Sequence, residues 1–213
     1  MKYGPNYIYE CPNCGNLIQN RSLMSGNTFD AELYSDLRRI APMLPEFPNM
    51  IECKKCRNIF WLSKTKKIGE YSWGDDPNPL WKNADLAEFL SIHNYFKALK
   101  ASLAQNLNEE LFIRKRIWWS YNDRLRNGSK LFRFVNDEVR WKANINQLLE
   151  LLDIEQVDQK IMIAELHRNL GHFERCLELI NSIEDAEVEW LKDGFKRECN
   201  NKNRNVFLLA TAQ

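Results

Sequence analysis

Two matched pairs of cysteines constrain this chain more than anything else in it: "CPNC", with Cys11 and Cys14, and "CKKC", with Cys53 and Cys56. The spacing lets one tight turn bring two thiolates to the same ion. Two such turns supply the four ligands that zinc takes in a tetrahedron, and thiolate suits its borderline-soft character. Four protein ligands leave no open position, so the expectation is one structural Zn²⁺ per chain, not a water-activating one. The competing readings are two redox dithiols, two disulfides or packed thiols. A redox C-x-x-C sits at a strand-to-helix junction, and neither pair here precedes a helical pattern. "MKYGPNYIYE" holds no apolar core of a secretory signal,. No run reaches the roughly 18 apolar residues of a membrane span. The expected location is therefore cytoplasmic, with no membrane partner, where paired cysteines are more often metal ligands than disulfides.

The flanks agree with a metal knuckle. Pro12 stiffens the first turn, and Gly15 follows Cys14, where an awkward backbone is expected,. "YIYEC" alternates like a strand and "RNIFWL" is apolar and β-prone,. Strand, knuckle, insert, strand, knuckle, strand is the layout of a zinc ribbon, and residues 1–68 are expected to form such a small β domain. The insert of 38 residues between Cys14 and Cys53 is longer than the commonest spacing, so it must hold structure of its own,. Within it "FDAELYSDLRRIAPML" reads as two short strands around a Ser35–Asp36 turn, and Pro42, Pro45 and Pro48 mark an irregular return,.

Residues 69–82, "GEYSWGDDPNPLWK", read as a linker loop,. Beyond it, residues 83–213 turn helical. Ser91 caps "IHNYFKALKASLA",. "NEELFIRKRIWWSYNDRLRNG" carries acids early and bases late and ends at Gly128,. "DEVRWKANINQLLELLD" keeps its apolar residues on one face,. "EQVDQKIMIAELHRNLG" stops at Gly171, "HFERCLELINSI" follows at once, and "EDAEVEWLKDGFKRECNNK" is the last long helix, with "NVFLLATAQ" packing back as an extended tail. Six helices with short links predict an antiparallel array. With 44% hydrophobic residues there is material for a real core,. The fold class is α+β: a zinc-ribbon-like head, then an all-α, repeat-like antiparallel helical domain.

One helix pair is more specific. In "IAELHRNLGHFERCLELI", Ala164 precedes Gly171 by seven, Phe173 follows it by two, and Cys176 stands where a small residue is needed. That spacing resembles one tetratricopeptide repeat, with Cys176 in place of the usual second-helix Ala. Taken with "CPNCG…APMLPEFPN…CKKCRNIFWL" and "IWWSYNDRLRNG", the chain resembles a group of uncharacterised bacterial proteins that join a zinc-ribbon-like head to a tetratricopeptide-like tail. The resemblance implies this architecture and no activity.

Three surfaces are candidates for function. Lys54, Lys55, Arg57, Lys64, Lys66 and Lys67 surround Phe60 and Trp61, and cations interleaved with aromatics can grip phosphates and stack bases,. The other reading is that these cations offset the negative charge of four thiolates while Trp61 is core; a net charge of +1 gives no global field for nucleic acid,. Arg114, Trp118, Asn122 and Arg126 recur on one helical stripe and could clamp a peptide carboxylate or phosphate, or else form a helix–helix seam,. Asp158, Glu165 and Arg168 would line the concave side of the repeat-like pair, or simply form a solvated helix face,. His93, His167 and His172 show no catalytic spacing, although the last two flank a turn and could share a metal,. The eight glycines form no phosphate loop,. The functional expectation is a non-catalytic adaptor for a protein or peptide partner, with a nucleic-acid-binding zinc ribbon as the alternative. An enzyme is not favoured, because no local signature of one is present.

Overall fold

The computed structural model describes residues 1–72 and 74–211. In chain order its strands are β1 (Lys2–Tyr3), β2 (Asn6–Glu10), β3 (Leu17–Asn20), β4 (Leu23–Ser25), β5 (Glu32–Tyr34), β6 (Arg39–Ile40), β7 (Met50–Glu52), β8 (Ile59–Trp61), β9 (Lys67–Tyr71), β10 (Asp85–Leu86) and β11 (Leu208–Thr211). Its helices are α1 (Pro79–Lys82), α2 (Ile92–Lys100), α3 (Leu107–Arg126), α4 (Asp137–Leu151), α5 (Val157–Leu170), α6 (Phe173–Asn181) and α7 (Lys192–Asn200). The fold is mixed α+β, as the period changes along the sequence require,. Among the described residues no helix is long and apolar enough to cross a membrane.

The chain forms two compact units, and both are discontinuous. One consists of Met1–Asp30 with Ala41–Leu103, the other of Ala31–Ile40 with Ala104–Gln213. The expected division at residues 68 and 83 is therefore corrected in three places. The hairpin inside the cysteine insert belongs to the helical unit, the expected linker is partly built into the first unit, and α2 belongs with the first unit as well. Local pattern places an element's type; it does not place its partner.

In the first unit β2 pairs antiparallel with β3, Tyr7 opposite Asn20 and Glu10 opposite Leu17. β9 extends the sheet on the other side of β2, with Ile8 opposite Gly69, and β10 joins β3 in parallel. β7 and β8 form a second hairpin, Met50 opposite Trp61. The segment expected as a linker thus supplies a sheet strand. It is locked by Trp81 of α1, whose ring lies so close over Gly69 that a Cβ there would stand 2.2 Å from a ring carbon. The core gathers Ile18, Ile51, Phe60 and Leu62 with Cys11 and Cys53, so two of the four sulfurs are core atoms of a small domain. α2, capped by the Ser91 side chain, buries Asn94, Tyr95 and Ala98. The Trp61 indole donates to the Leu103 carbonyl at 2.9 Å, and Asn94 donates to Glu52 at 2.9 Å. These contacts hold the first helix in the unit with the hairpins.

In the second unit α3 begins under the Asn106 cap, with Glu109 and Glu110 in its first turn and Arg124 and Arg126 in its last, matching the helix dipole,. It packs on α4, α5 packs on α6, and α6 on α7. α5 stops where Gly171 takes φ +91. There Gly171 N–H donates to Arg168 O and His172 N–H to His167 O, both at 2.9 Å. This doubled capping pattern reverses the chain directly into α6. The final helix is shorter than expected. Asp185 accepts the Glu187 N–H and starts a 3-10 turn over Ala186–Leu191, and α7 follows. The tail packs back as β11, pairing antiparallel with β5, which also pairs with β6.

Candidate metal centre

Each cysteine pair sits at the tip of a hairpin, and the two tips are built alike. In the first, Cys11 N–H donates to Asn16 O at 2.9 Å and Gly15 N–H donates back to Cys11 O at 3.0 Å. In the second, Cys53 N–H donates to Asn58 O at 2.8 Å and Arg57 N–H to Cys53 O at 2.9 Å. The residue after each second cysteine is left-handed: Gly15 at φ +69, Arg57 at φ +62. Glycine takes that conformation freely; an arginine in it adopts a backbone rarely seen outside glycine and asparagine. "CPNCGN" and "CKKCRN" are thus one structural unit used twice, and the shared Asn at the sixth place is the signal that sequence reading passed over.

The four sulfurs lie within 4.8 Å of one another. Cys11 Sγ is 3.6 Å from Cys56 Sγ, and Cys14 Sγ is 3.7 Å from Cys53 Sγ. These are far longer than a disulfide bond of about 2.05 Å. A regular tetrahedron of sulfurs around an ion at about 2.3 Å has edges of about 3.8 Å, so the spacing fits a shared four-coordinate ion. Backbone N–H groups point at the sulfurs: those of Asn13 and Cys14 at Cys11, that of Asn16 at Cys14, that of Asn58 at Cys56. Such donors stabilise thiolates and orient them. Burial pushes the Cys11 thiol up to about 12, while a hydrogen bond from the Asn13 side chain draws Cys56 down to about 6. These two thiols therefore do not ionise alike, and metal binding would draw both into the thiolate form. Among the described residues this is the one place where three or more Cys, His, Asp or Glu side chains are close enough to share an ion. Cys176 and Cys199 are buried, with a hydrogen bond between their thiols.

The basic side chains near the second knuckle stay on the surface, and of the two readings of the aromatics the burial supports the one that places Trp61 in the core. Phe60 and Trp61 are buried in the first unit and offer no face for a base. Lys54 is paired with Glu88 at 2.7 Å, Arg57 with Glu52 at 3.0 Å, and Lys67 with Glu70 at 2.6 Å. Lys64 lies over the Trp61 ring at 5.9 Å, and Lys55 and Lys66 are exposed.

The helical stripe is corrected more fully. Trp118, Asn122, Glu165 and Arg168 are buried, and the Arg126 side chain is nearly so; they are interior, not a docking face. Trp118 Nε1 donates to Asn169 Oδ1 at 2.9 Å, and Asn122 Nδ2 to Asp36 Oδ2 at 2.8 Å. Arg126 pairs with Asp36 and with Asp123. Arg168 pairs with Glu165 at 2.6 Å and also donates to the carbonyls of Asn203 and Asn205. Ser35 Oγ donates to Glu165 Oε1 at 2.8 Å and accepts the Phe207 N–H. The β5–β6 turn and the tail thus cover the face of α3 and α5 that helical periodicity leaves to solvent, and buried charges are tolerated because each finds a partner. Arg114 pairs with Glu110 at 2.7 Å one helical turn away, and Asp158 is exposed. His167 and His172 face each other across the Gly171 turn, Nδ1 to Nδ1 3.4 Å.

The fold and site define a four-cysteine centre in a small β unit, joined to a helical unit. Comparison with family models, with curated proteins and with solved structures returns no match for this chain.

Proposed function

We propose that the four cysteines hold one structural Zn²⁺ in a zinc-ribbon-like head, and that the chain is a non-catalytic interaction protein. The observation that carries the reading is the sulfur quartet, whose edge lengths fit a closed tetrahedral shell,. A closed shell stabilises a fold and leaves no site for water activation. The head has a small core that includes two of the sulfurs, so metal binding free energy acts there as folding free energy,. The α5–α6 pair supports a single tetratricopeptide-like unit, because Ala164 and Cys176 are buried and Gly171 makes the turn. Partner contact is supported by exposed apolar side chains at the start of α4: Phe134, Val135 and Val139 are 72%, 97% and 69% exposed. Runs of large apolar groups left in water mark interaction surfaces.

The test has two arms. Purified chain should carry zinc in a one-to-one ratio by elemental mass spectrometry, and the Cys14→Ser/Cys53→Ser variant should carry none. Metal-loaded chain immobilised on a resin should retain a protein that a Phe134→Ser/Val135→Ser/Val139→Ser variant, equally stable, does not. A folded, metal-loaded chain that retains nothing overturns the interaction reading.

A further inference from the structure

Two cysteines stand apart from the metal centre, and they are paired with each other. Cys176 lies in the first turn of α6 and Cys199 in the last turn of α7, helices that pack together in the second unit. Their thiols are hydrogen-bond partners. A lone buried cysteine is a small inert hydrophobe. Two sulfurs in contact, from different helices, are one step from a bond.

The two sulfurs do not share the same surroundings. Cys176 is fully buried. Cys199 is part of the wall of a cavity of about 540 Å³, together with His172, Arg175, Leu177 and Lys202, and Cys176 is not. Charge is disfavoured most at the deeper sulfur, so the proton between them stays on Cys176 and Cys199 accepts it. That hydrogen bond, helped by the Arg168 guanidinium, holds the Cys199 thiol below its ordinary value in spite of burial. The same bond, together with burial, pushes the Cys176 thiol up. Glu165 and Glu198 oppose the shift at Cys199, but Glu165 is paired with Arg168, and Glu198 with Arg197. The pair is thus divided into a sulfur suited to attack, beside a cavity, and a protonated one behind it. A water takes about 30 Å³ in the liquid, so hydrogen peroxide, roughly twice that size, fits beside Cys199.

We propose that Cys199 and Cys176 form a reversible disulfide on reaction with a hydroperoxide, with Cys199 attacking and Cys176 resolving. The Cys199 thiolate attacks one peroxide oxygen. A sulfur–oxygen bond forms, the oxygen–oxygen bond breaks, and the departing alkoxide takes up the proton that Cys199 gave up. Cys199 is then a sulfenic acid. The Cys176 sulfur attacks it, the sulfur–sulfur bond forms, the sulfur–oxygen bond breaks, and hydroxide leaves as water with the Cys176 proton. In sum, two thiols and a hydroperoxide give a disulfide, an alcohol and water. The sulfurs lose the two electrons that the peroxide gains. The site needs neither the metal nor a partner protein.

The test treats zinc-loaded, full-length chain with equimolar hydrogen peroxide while zinc release is followed with a chromogenic chelator. Remaining thiols are then blocked with N-ethylmaleimide under denaturing conditions, and the chain is digested with trypsin for mass spectrometry. The expected product joins residues 176–192 to residues 198–202, appears before zinc is released, and is lost on adding dithiothreitol. Cys176→Ser should abolish the cross-link and leave a sulfenic acid at Cys199 that dimedone captures. Cys199→Ser should abolish it and leave Cys176 unlabelled. The wild-type result decides the matter even if either variant fails to fold. No such cross-link at a peroxide exposure that strips the zinc overturns the proposal, and so does one that forms only after the zinc has gone. Dimedone on Cys176 in Cys199→Ser, with none on Cys199 in Cys176→Ser, overturns the assignment of the attacking thiol.

Discussion

Replacing Asp36 by Ala should destabilise the helical unit by about 3–5 kcal/mol, the range for breaking a buried ion pair by removing one partner. Asp36 is fully buried at the turn between β5 and β6. Its Oδ2 accepts Asn122 Nδ2 at 2.8 Å and pairs with Arg126, while Oδ1 accepts the Arg38 N–H at 3.2 Å. Without the carboxylate, Arg126 keeps its pair with Asp123 and its place over the Tyr34 ring, and a buried Asn122 amide loses its acceptor. The orphaned amide alone is worth about 1–3 kcal/mol, and the two losses overlap because they share one oxygen. Lys142→Ala is the internal control. Its pair with Glu138 is about half exposed on both sides, so it should change stability by no more than about 1 kcal/mol,. Urea unfolding followed by helical circular dichroism and tryptophan fluorescence measures both. With domain stabilities of about 5–15 kcal/mol, the Asp36→Ala midpoint should fall by about a fifth or more. A loss for Asp36→Ala no larger than that for Lys142→Ala, at an unchanged denaturant slope, would refute the view that this turn is bound into the helices by its buried charges.

Other outcomes follow from the same geometry. Chelation, or Cys53→Ser, should melt the first unit, because zinc-site free energies of about 10–16 kcal/mol match or exceed a small domain's stability; loss of the β signal in step with zinc release checks it. Gly69→Ala should cost about 1–3 kcal/mol through its clash with the Trp81 ring, and Trp81→Ala in the same chain should relieve part of that penalty in a double-mutant cycle,. Burial would raise the Asp137 carboxyl, but the Arg124 guanidinium and the N–H groups of Arg133 and Phe134 outweigh it and leave it below the usual carboxylate range. A carboxylate lowered in the folded state contributes stability above its unfolded value near 3.9 and loses it as pH falls through the folded value. Melting temperatures of wild type and Asp137→Asn should therefore differ at neutral pH and converge below pH 4.

The parts legible in the sequence are those whose cause is local. The C-x2-C turns, the Ser91 cap, the Gly171 stop and even the Ser35–Asp36 turn each depend on a few adjacent residues, and each stands where those residues put it. What was not legible was destination. Nothing near Ser35 says that its hydroxyl will meet Glu165, 130 residues on. Glu165 and Arg168, three apart on a helix, read as a solvated pair until a hairpin and a tail cover them. The same gap explains 69–82, where Gly, Pro and Asp read as loop although Lys67–Tyr71 lies along β2.

The ten-residue excursion from the middle of the cysteine insert makes the two units interleaved along the chain. No single cut yields both intact. A fragment ending before residue 104 carries a hairpin without its helices, and one beginning there leaves Asn122 and Arg126 without the Asp36 carboxylate and Glu165 and Arg168 without the Ser35 hydroxyl. Dissection by truncation would therefore test neither unit as it stands in the whole chain.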